Sequence, residues 1–344
     1  MPFLPSPRRL PTVLAAASFT ALGLAGCGGG GGGGGGGTTT ISGAGATFPA
    51  AAYQRWSSDY AAATGNQVNY QSVGSGAGVR QFTAGTVDFG ATDEQLSEEE
   101  FKAGEAGKRG AVQIPMLGGT VTPAYNKENC PNLKLTQAQL AGIFLGRIRD
   151  WKELGCPAGP ITVAHRSDGS GTTYAFTNSL SCFSPEWEKQ VGKGKSVNWP
   201  VGVGGKGNEG VAGLLANTPG SIGYVNLAYV KAPLQPVALQ NKAGQFVVAS
   251  KESGAEALNN VVLNERLGGE DCNPAGEGSF PISAFTWILA YEGGYPAGKA
   301  EAVRKFLTWA LGPEPQQQAA QLGYVPLTGE VLGKARDAVQ KIAD

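Results

Sequence analysis

Arg166-Ser167-Asp168-Gly169-Ser170-Gly171-Thr172 decides how this chain folds. It follows the strand-like run Pro160-Ile161-Thr162-Val163-Ala164 and leads into a helical stretch over residues 172–180. A short apolar run, a Gly-rich turn and a helix make a strand–turn–helix unit. A hydroxyl residue between two glycines at a helix start supplies an O–H and free backbone N–H groups at the positive end of the helix dipole. Such a combination holds anions. The glycines let a ligand come close to the backbone. Arg166, four residues before Ser170, adds a guanidinium that can pair bidentately with a tetrahedral oxyanion. Asp168 is its nearest ion-pair partner in sequence.

Working outward, the same design occurs twice more. Thr47-Phe48-Pro49 places a hydroxyl residue before a Pro suited to the first helical position. Gly74-Ser75-Gly76-Ala77-Gly78 is a Gly-rich entry into a helix with a Ser inside it. One hydroxyl at a helix start is ordinarily a cap. Three such starts in one chain, two of them flanked by Gly on both sides, point to a shared anion site. Asp93 follows the strand-like segment 87–92 and would ordinarily cap a helix. Further strands are expected at 66–73, 87–91, 111–115, 121–125, 222–225 and 286–291. Helices are expected at 50–63, 78–84, 136–144, 209–215 and 299–311. Strands alternating with helices argue for α/β domains. No internal repeat is evident.

The length of 344 residues suggests two domains. With 41% hydrophobic and 16% charged residues, a sizeable core is possible. The formal net charge is zero. Without residues 1–26, which carry Arg8 and Arg9, 25 basic residues face 27 acidic ones, a balance of −2. No basic stripe or tail points to nucleic acid, and no basic amphipathic helix points to a membrane surface. An anion must therefore be held by a local site and not by a global field.

Residues 1–26 read as a signal peptide, with Arg8 and Arg9 as the charged region and 10–24 as the apolar one. That stretch is too short for a comfortable membrane span. It ends in Leu24-Ala25-Gly26-Cys27, which resembles the bacterial lipobox, so Cys27 is the expected lipidation site. Each buried methylene of an acyl chain adds ~0.8 kcal/mol of membrane affinity. Residues 27–40 then read as a lipidated Cys and a Gly/Thr-rich tether. The ten glycines of Gly28–Gly37 give a reach of about 17–19 Å.

Four further cysteines, Cys130, Cys156, Cys182 and Cys272, favour two disulfides in an exported protein. There is no CxxC and His165 is the single histidine, so no metal site is expected. Three pairings are possible. Cys130–Cys156 with Cys182–Cys272 is preferred, because each then ties a loop within one neighbourhood.

Other phosphate chemistries fit poorly. No GxxxxGK[ST] occurs. Gly205-Lys206-Gly207-Asn208-Glu209-Gly210 matches GxGxxG, but no acidic residue stands about 20 positions on, as a dinucleotide fold requires. A serine hydrolase would pair Ser170 with His165, five residues away across a tight loop, without the G-x-S-x-G setting. No enzyme activity and no cofactor are expected.

These segments together resemble the periplasmic phosphate-binding protein family of the bacterial phosphate-specific ABC transporter, the PstS family. The resemblance runs from about Ser42 to Val339. It rests on Gly43-Ala44-Gly45-Ala46-Thr47-Phe48-Pro49, Asn69-Tyr70-Gln71 with Gly74-Ser75-Gly76, and Val87-Asp88-Phe89-Gly90-Ala91-Thr92-Asp93. It continues through 166–172, through Gly204-Gly205-Lys206-Gly207-Asn208-Glu209-Gly210 and through Gly223-Tyr224-Val225. It implies an α/β fold: a two-lobed periplasmic-binding-protein clamp with two interdomain crossovers and ligand in the cleft. Domain I would be 41–126 plus 283–344, and domain II 127–282.

The ligand-binding residues it implies are Thr47, Phe48, Ser75, Asp93, Arg166, Ser170, Gly171 and Thr172, with Asp168 in support. Asp93 would accept a hydrogen bond from the proton on phosphate. The implied function is high-affinity capture of inorganic phosphate and delivery to an ABC permease pair with a cytoplasmic ATPase. A lipid-anchored sensor or scavenger, or a binder of a related oxyanion, is the alternative. The expected working form is a monomer on the outer face of the cytoplasmic membrane. Two departures stand out: Gly76 where relatives often have a second Ser, and His165 where some have a second Arg.

Overall fold

The computed structural model describes residues 38–344, which form one compact unit. The signal segment 1–26, Cys27 and the glycines of the tether lie outside the described residues. The strands are β1 (Thr40–Gly45), β2 (Gln67–Ser72), β3 (Phe89–Thr92), β4 (Ala111–Asn126), β5 (Lys134–Leu135) and β6 (Thr162–Arg166). They continue with β7 (Val203–Gly205), β8 (Ser221–Asn226), β9 (Gln235–Pro236), β10 (Ala238–Gln240), β11 (Phe246–Val248) and β12 (Ser283–Tyr291). The main sheet runs β2-β1-β3-β12-β4-β8-β6-β7, and β9 lies beside β4. A small sheet of β11, β10 and β5 stands apart.

The long strand β4 joins two lobes. Its first part pairs with β12, ending at Thr120 opposite Ser283, and its second part pairs with β8 from Val121 onward. Two strands were expected here, over 111–115 and 121–125. The structure has one, because Gly118 and Gly119 do not break it. They leave room for the Leu258 and Phe48 side chains, which a Cβ at either position would strike.

The lobes repeat one topology. In the first, β1 lies between β2 and β3, all parallel, with antiparallel β12 beyond β3. In the second, β6 lies between β7 and β8, again all parallel, with antiparallel β4 beyond β8. The sequence shows no trace of this, since a shared strand order needs only matching polarity patterns, not matching residues.

Helices cover both lobes and set where the strands end. Ala50–Thr64 buries Tyr53, Trp56 and Tyr60, spaced to share one face. It stops at Gly65, whose φ of 75° favours a residue without a Cβ. Ser75–Thr83 begins three residues earlier than the expected 78, so Ser75 is its first residue and Gly74 its cap. Gly171–Phe183 is capped by Ser170, whose Oγ accepts from the Thr173 N–H at 3.0 Å. Gly207–Asn217 follows β7 directly.

Both disulfides pair as preferred above: Cys130 with Cys156 and Cys182 with Cys272. The second ties the end of Gly171–Phe183 to a segment that also packs on the first lobe. There Leu267 O accepts from Trp287 Nε1 at 2.8 Å, and Arg266 O accepts from Gln113 Nε2 at 3.2 Å. Among the described residues no helix is long and apolar enough to cross a membrane, and no metal-ligating cluster occurs.

Candidate functional site

The ends of the parallel strands converge. Thr47 and Phe48 follow β1, Ser75 follows β2, and Asp93 follows β3. Arg166 is the last residue of β6, and Ser170, Gly171 and Thr172 follow it. Carboxyl ends of parallel strands beside a change of strand order are where open α/β sheets hold ligands. All the expected site residues lie buried together: Thr47 is 2% exposed, Phe48 0%, Ser75 1%, Asp93 3%, Arg166 4% and Thr172 0%.

The chain after β1 is held by three tyrosines. Ala46 O accepts from Tyr70 OH at 2.6 Å, Thr47 O from Tyr229 OH at 2.8 Å, and Phe48 O from Tyr324 OH at 2.7 Å. With the carbonyls fixed, the peptide planes are fixed. The N–H groups of Thr47, Phe48, Ser75, Gly171 and Thr172 have no acceptor among the described residues. Buried donors left unpaired are costly and rare, so five in one place mark a site built to receive an acceptor-rich ligand. Ser170 contributes less than expected: its N–H donates to Lys195 O at 2.9 Å and its Oγ serves Thr173. Its hydroxyl proton alone is left for a ligand.

Charge is distributed with equal economy. Arg166 Nε and Nη2 donate to the two oxygens of Asp168 at 2.8 and 2.6 Å, and Asp168 Oδ1 also accepts from the Gly207 N–H at 3.0 Å. Burial acts to raise the Asp168 carboxyl, but the hydrogen bonds and charge of Arg166 outweigh it and hold it below the usual carboxylate range. The bidentate pairing foreseen for an oxyanion is thus taken by Asp168. The ligand is left the Nη1 side, which also reaches Thr172 Oγ1 at 3.5 Å.

Asp93 is treated in the opposite way. Its Oδ2 receives Ser75 Oγ and Thr172 Oγ1, both at a long 3.4 Å, and its Oδ1 is buried without any partner. Burial pushes the Asp93 carboxyl up to about 7, against the opposing pull of Thr286, whose hydroxyl lies near but donates to Thr92 O at 3.3 Å, and of Arg166, Thr172 and Ser75.

The two lobes meet across this site. Gly76 N–H donates to Gly169 O at 2.8 Å, and Lys195 Nζ reaches Glu94 and Glu100 at 3.2 and 2.7 Å. A Cβ on Gly171 would lie 2.7 Å from the Asp93 N and Cβ. Backbone cannot give way cheaply at that distance, so an alanine would wedge the lobes apart. Gly171→Ala is expected to weaken ligand binding by roughly 10- to 100-fold while the melting temperature of the empty protein stays nearly unchanged, since an open form relieves the clash. Titration calorimetry and thermal melts on the same preparation check both halves of this expectation.

A family model for a PBP superfamily domain matches residues 32–314. The phosphate-binding protein PstS of Xylella fastidiosa is 44% identical over 304 residues, covering 83% of this chain and 81% of that protein. The protein of the same name from Haemophilus influenzae is 43% identical over 306 residues, covering 85% and 90%. The chain belongs to the PstS family of phosphate-binding proteins. The solved structure of PfluDING, described as a high affinity periplasmic phosphate-binding protein, shares the fold at a TM-score of 0.72 and 22% identity, covering 87% of this chain and 93% of that one.

The two departures from the family pattern sit at the edge of the site. Gly76 packs on the Gly169 backbone, where a Cβ would lie 3.1 Å from the Gly169 Cα. His165 stacks on Trp199, ring centroids 4.8 Å apart, and its Nδ1 lies 3.0 Å from Arg166 O. It makes no hydrogen bond to Ser170. Asn208 and Tyr229 carried no assigned role in the sequence reading, yet both bond directly to Thr47. In the sequence the segment 204–210 stands out as a family signature and as a rejected GxGxxG match. An asparagine within a Gly-rich helix start is the signal the sequence offers.

Proposed function

We propose that this chain captures inorganic phosphate outside the cytoplasmic membrane and delivers it to an ABC permease pair powered by a cytoplasmic ATPase. The observation that carries the reading is the unpartnered Oδ1 of buried Asp93 inside a ring of unpaired donors. Donors alone suit any tetrahedral oxyanion. Once Asp93 is ionised, above about pH 7, a buried acceptor among them suits only an oxyanion that still carries a proton, as phosphate does and sulfate does not. Leaving a buried acceptor unpaired costs ~1–3 kcal/mol, more when it is charged.

In this reading Thr47 and Ser75 give hydroxyl and N–H, and Phe48 and Gly171 give N–H. Thr172 gives both, Ser170 gives its hydroxyl, Arg166 supplies the cation and Asp168 holds it in place. Domain I is 41–126 plus 283–344 and domain II is 127–282, with the last part of β4, Val121–Asn126, crossing over to pair with β8 of the second lobe. Thr47, Ser75 and Asp93 then stand on one lobe and Arg166 to Thr172 on the other, so phosphate favours the closed form by touching both. The protein performs no chemistry on phosphate. It works as a monomer, anchored by acylated Cys27 beside its permease. The family relationship and the site geometry support the phosphate ligand; the anchor and the monomer are part of the proposal alone.

Calorimetric titration with phosphate, sulfate and arsenate tests the ligand. One phosphate per chain with no detectable sulfate binding is expected. Equal affinity for sulfate would refute the role of Asp93, and no response to phosphate would refute the reading as a whole. Growth of a deletion strain on limiting phosphate separates transport from sensing or scavenging, since only loss of transport slows growth directly.

A further inference from the structure

We infer that Asn208 is a positioning residue that fixes the hydroxyl protons of Thr47 and Thr172, one on each lobe, so that both are donated toward the ligand. This rests on the phosphate reading of the site and adds a residue that reading does not use.

The shared topology of the lobes shows where Asn208 comes from. Gly207–Asn217 follows β7 as Ser75–Thr83 follows β2, and β7 and β2 hold equivalent places beside the central strands β6 and β1. It is a fourth helix start, but its two buried donors, the Gly207 and Asn208 N–H groups, are already committed. The Gly207 N–H donates to Asp168 Oδ1 at 3.0 Å, and the Asn208 N–H donates to Thr47 Oγ1 at 3.0 Å. This helix start serves the site residues and not the ligand.

The Asn208 side chain is 0% exposed. Its Oδ1 accepts from the Asn226 N–H at 2.8 Å, which fixes the amide orientation, because a backbone N–H requires the oxygen. The Nδ2 must then point the other way, and it donates to Thr47 Oγ1 at 2.8 Å and to Thr172 Oγ1 at 3.2 Å. A hydroxyl has one proton and two lone pairs. Thr47 Oγ1 receives two N–H groups, both from Asn208, so its acceptor capacity is full. Its own proton finds no acceptor among the described residues. Thr172 Oγ1 receives Asn208 Nδ2 and Arg166 Nη1, so its proton too can only be given away, to Asp93 Oδ2 or to a ligand. A site meant for an acceptor-rich anion gains from hydroxyls whose protons need not be reoriented on binding.

Calorimetric phosphate titrations on the full chain test this through a double-mutant cycle. Asn208→Ala is expected to raise the phosphate Kd by about 10- to 100-fold. A merely structural effect, from the Asn226 N–H losing its acceptor, would add to any other change. An effect exerted through Thr47 would not. Asn208→Ala and Thr47→Val are therefore expected to be non-additive by at least about 5-fold, while Asn208→Ala and Ser75→Ala are additive within about 2-fold. Asn208→Asp keeps the acceptor for Asn226 but now takes the hydroxyl protons. It should fold and bind more weakly than the alanine variant. Additivity with Thr47→Val, or an aspartate variant within about 3-fold of the parent chain, overturns the proposal. A folded parent chain that ignores phosphate overturns the underlying reading instead, and the parent titration alone reports it.

Discussion

Arg166→Met is expected to reduce phosphate affinity by about 10²- to 10³-fold or more and to lower the melting temperature of the empty protein as well. Both effects follow from one geometry. Arg166 is 4% exposed and its guanidinium is clamped by Asp168 at 2.6 and 2.8 Å. The side chain of Asp168 is 15% exposed and is held ionised chiefly by that guanidinium. Removing the cation leaves the Asp168 carboxylate without its partner and Asp93 without its nearest positive charge, both facing an incoming anion. Taking one partner from a buried pair typically costs 3–5 kcal/mol because the other charge stays behind. The two effects separate in Arg166→Met/Asp168→Leu. Without the stranded carboxylate, stability should largely return, since apolar replacements of buried ion pairs are often neutral. Binding should not return. Thermal melts and phosphate titrations on the two variants decide this. A single variant that still binds within tenfold of the parent would show that the donors alone hold the ligand.

The sequence made the helix starts legible because their requirements are local. Glycines around Ser75 and Ser170, and a proline after Phe48, follow from what a helix end and a close ligand demand, and the structure brings all three starts together. The expected elements lie within a few residues of their spans for the same reason, apart from the two strands merged in β4. By contrast, β1, β7 and the helices Lys251–Leu258, Pro313–Gln321 and Gly329–Val339 have no expected counterpart. What stayed hidden depends on long-range partners. Gly118 and Gly119 look like breaks in a strand, and only the rings and side chains packed over them explain their smallness. Ser75 lies three residues ahead of the expected helix because Gly74, with φ of 92°, lets the chain turn earlier than the apolar pattern suggests. Asn208, Tyr229 and Tyr324 act on backbone or hydroxyl groups 161 to 276 positions away, and no spacing rule reaches that far. Asp93 was readable as a carboxylate in the right place, but its missing partner was not, since an orphaned oxygen exists only once the site is assembled.

That missing partner sets the second large expectation. Asp93→Asn should collapse the preference for phosphate over sulfate by about 100-fold or more, chiefly by admitting sulfate. Above about pH 7, where it is ionised, the buried carboxylate repels any ligand without a proton to donate, and at short range such repulsion is worth several kcal/mol. An amide removes the charge and can donate from Nδ2, so sulfate gains a partner where it had a repeller. Phosphate loses one charge-assisted bond, worth roughly 1.5–3 kcal/mol. Stability carries an independent signature. Burial raises the Asp93 carboxyl from 3.8 to about 7. The folded state therefore holds this proton more tightly than the unfolded state. The stability it contributes is fully present below about pH 4 and is lost as pH rises toward about 7, on the order of 4 kcal/mol at most. Glu94, raised to about 7 mainly by burial, slopes the same way and keeps doing so in the variant. Melts of the empty Asp93→Asn protein should thus fall less steeply between pH 4 and 7 and lie above the parent at pH 8. An unchanged ratio of phosphate to sulfate affinity, whatever the melts show, would take selectivity away from Asp93 and leave it to the geometry of the donors.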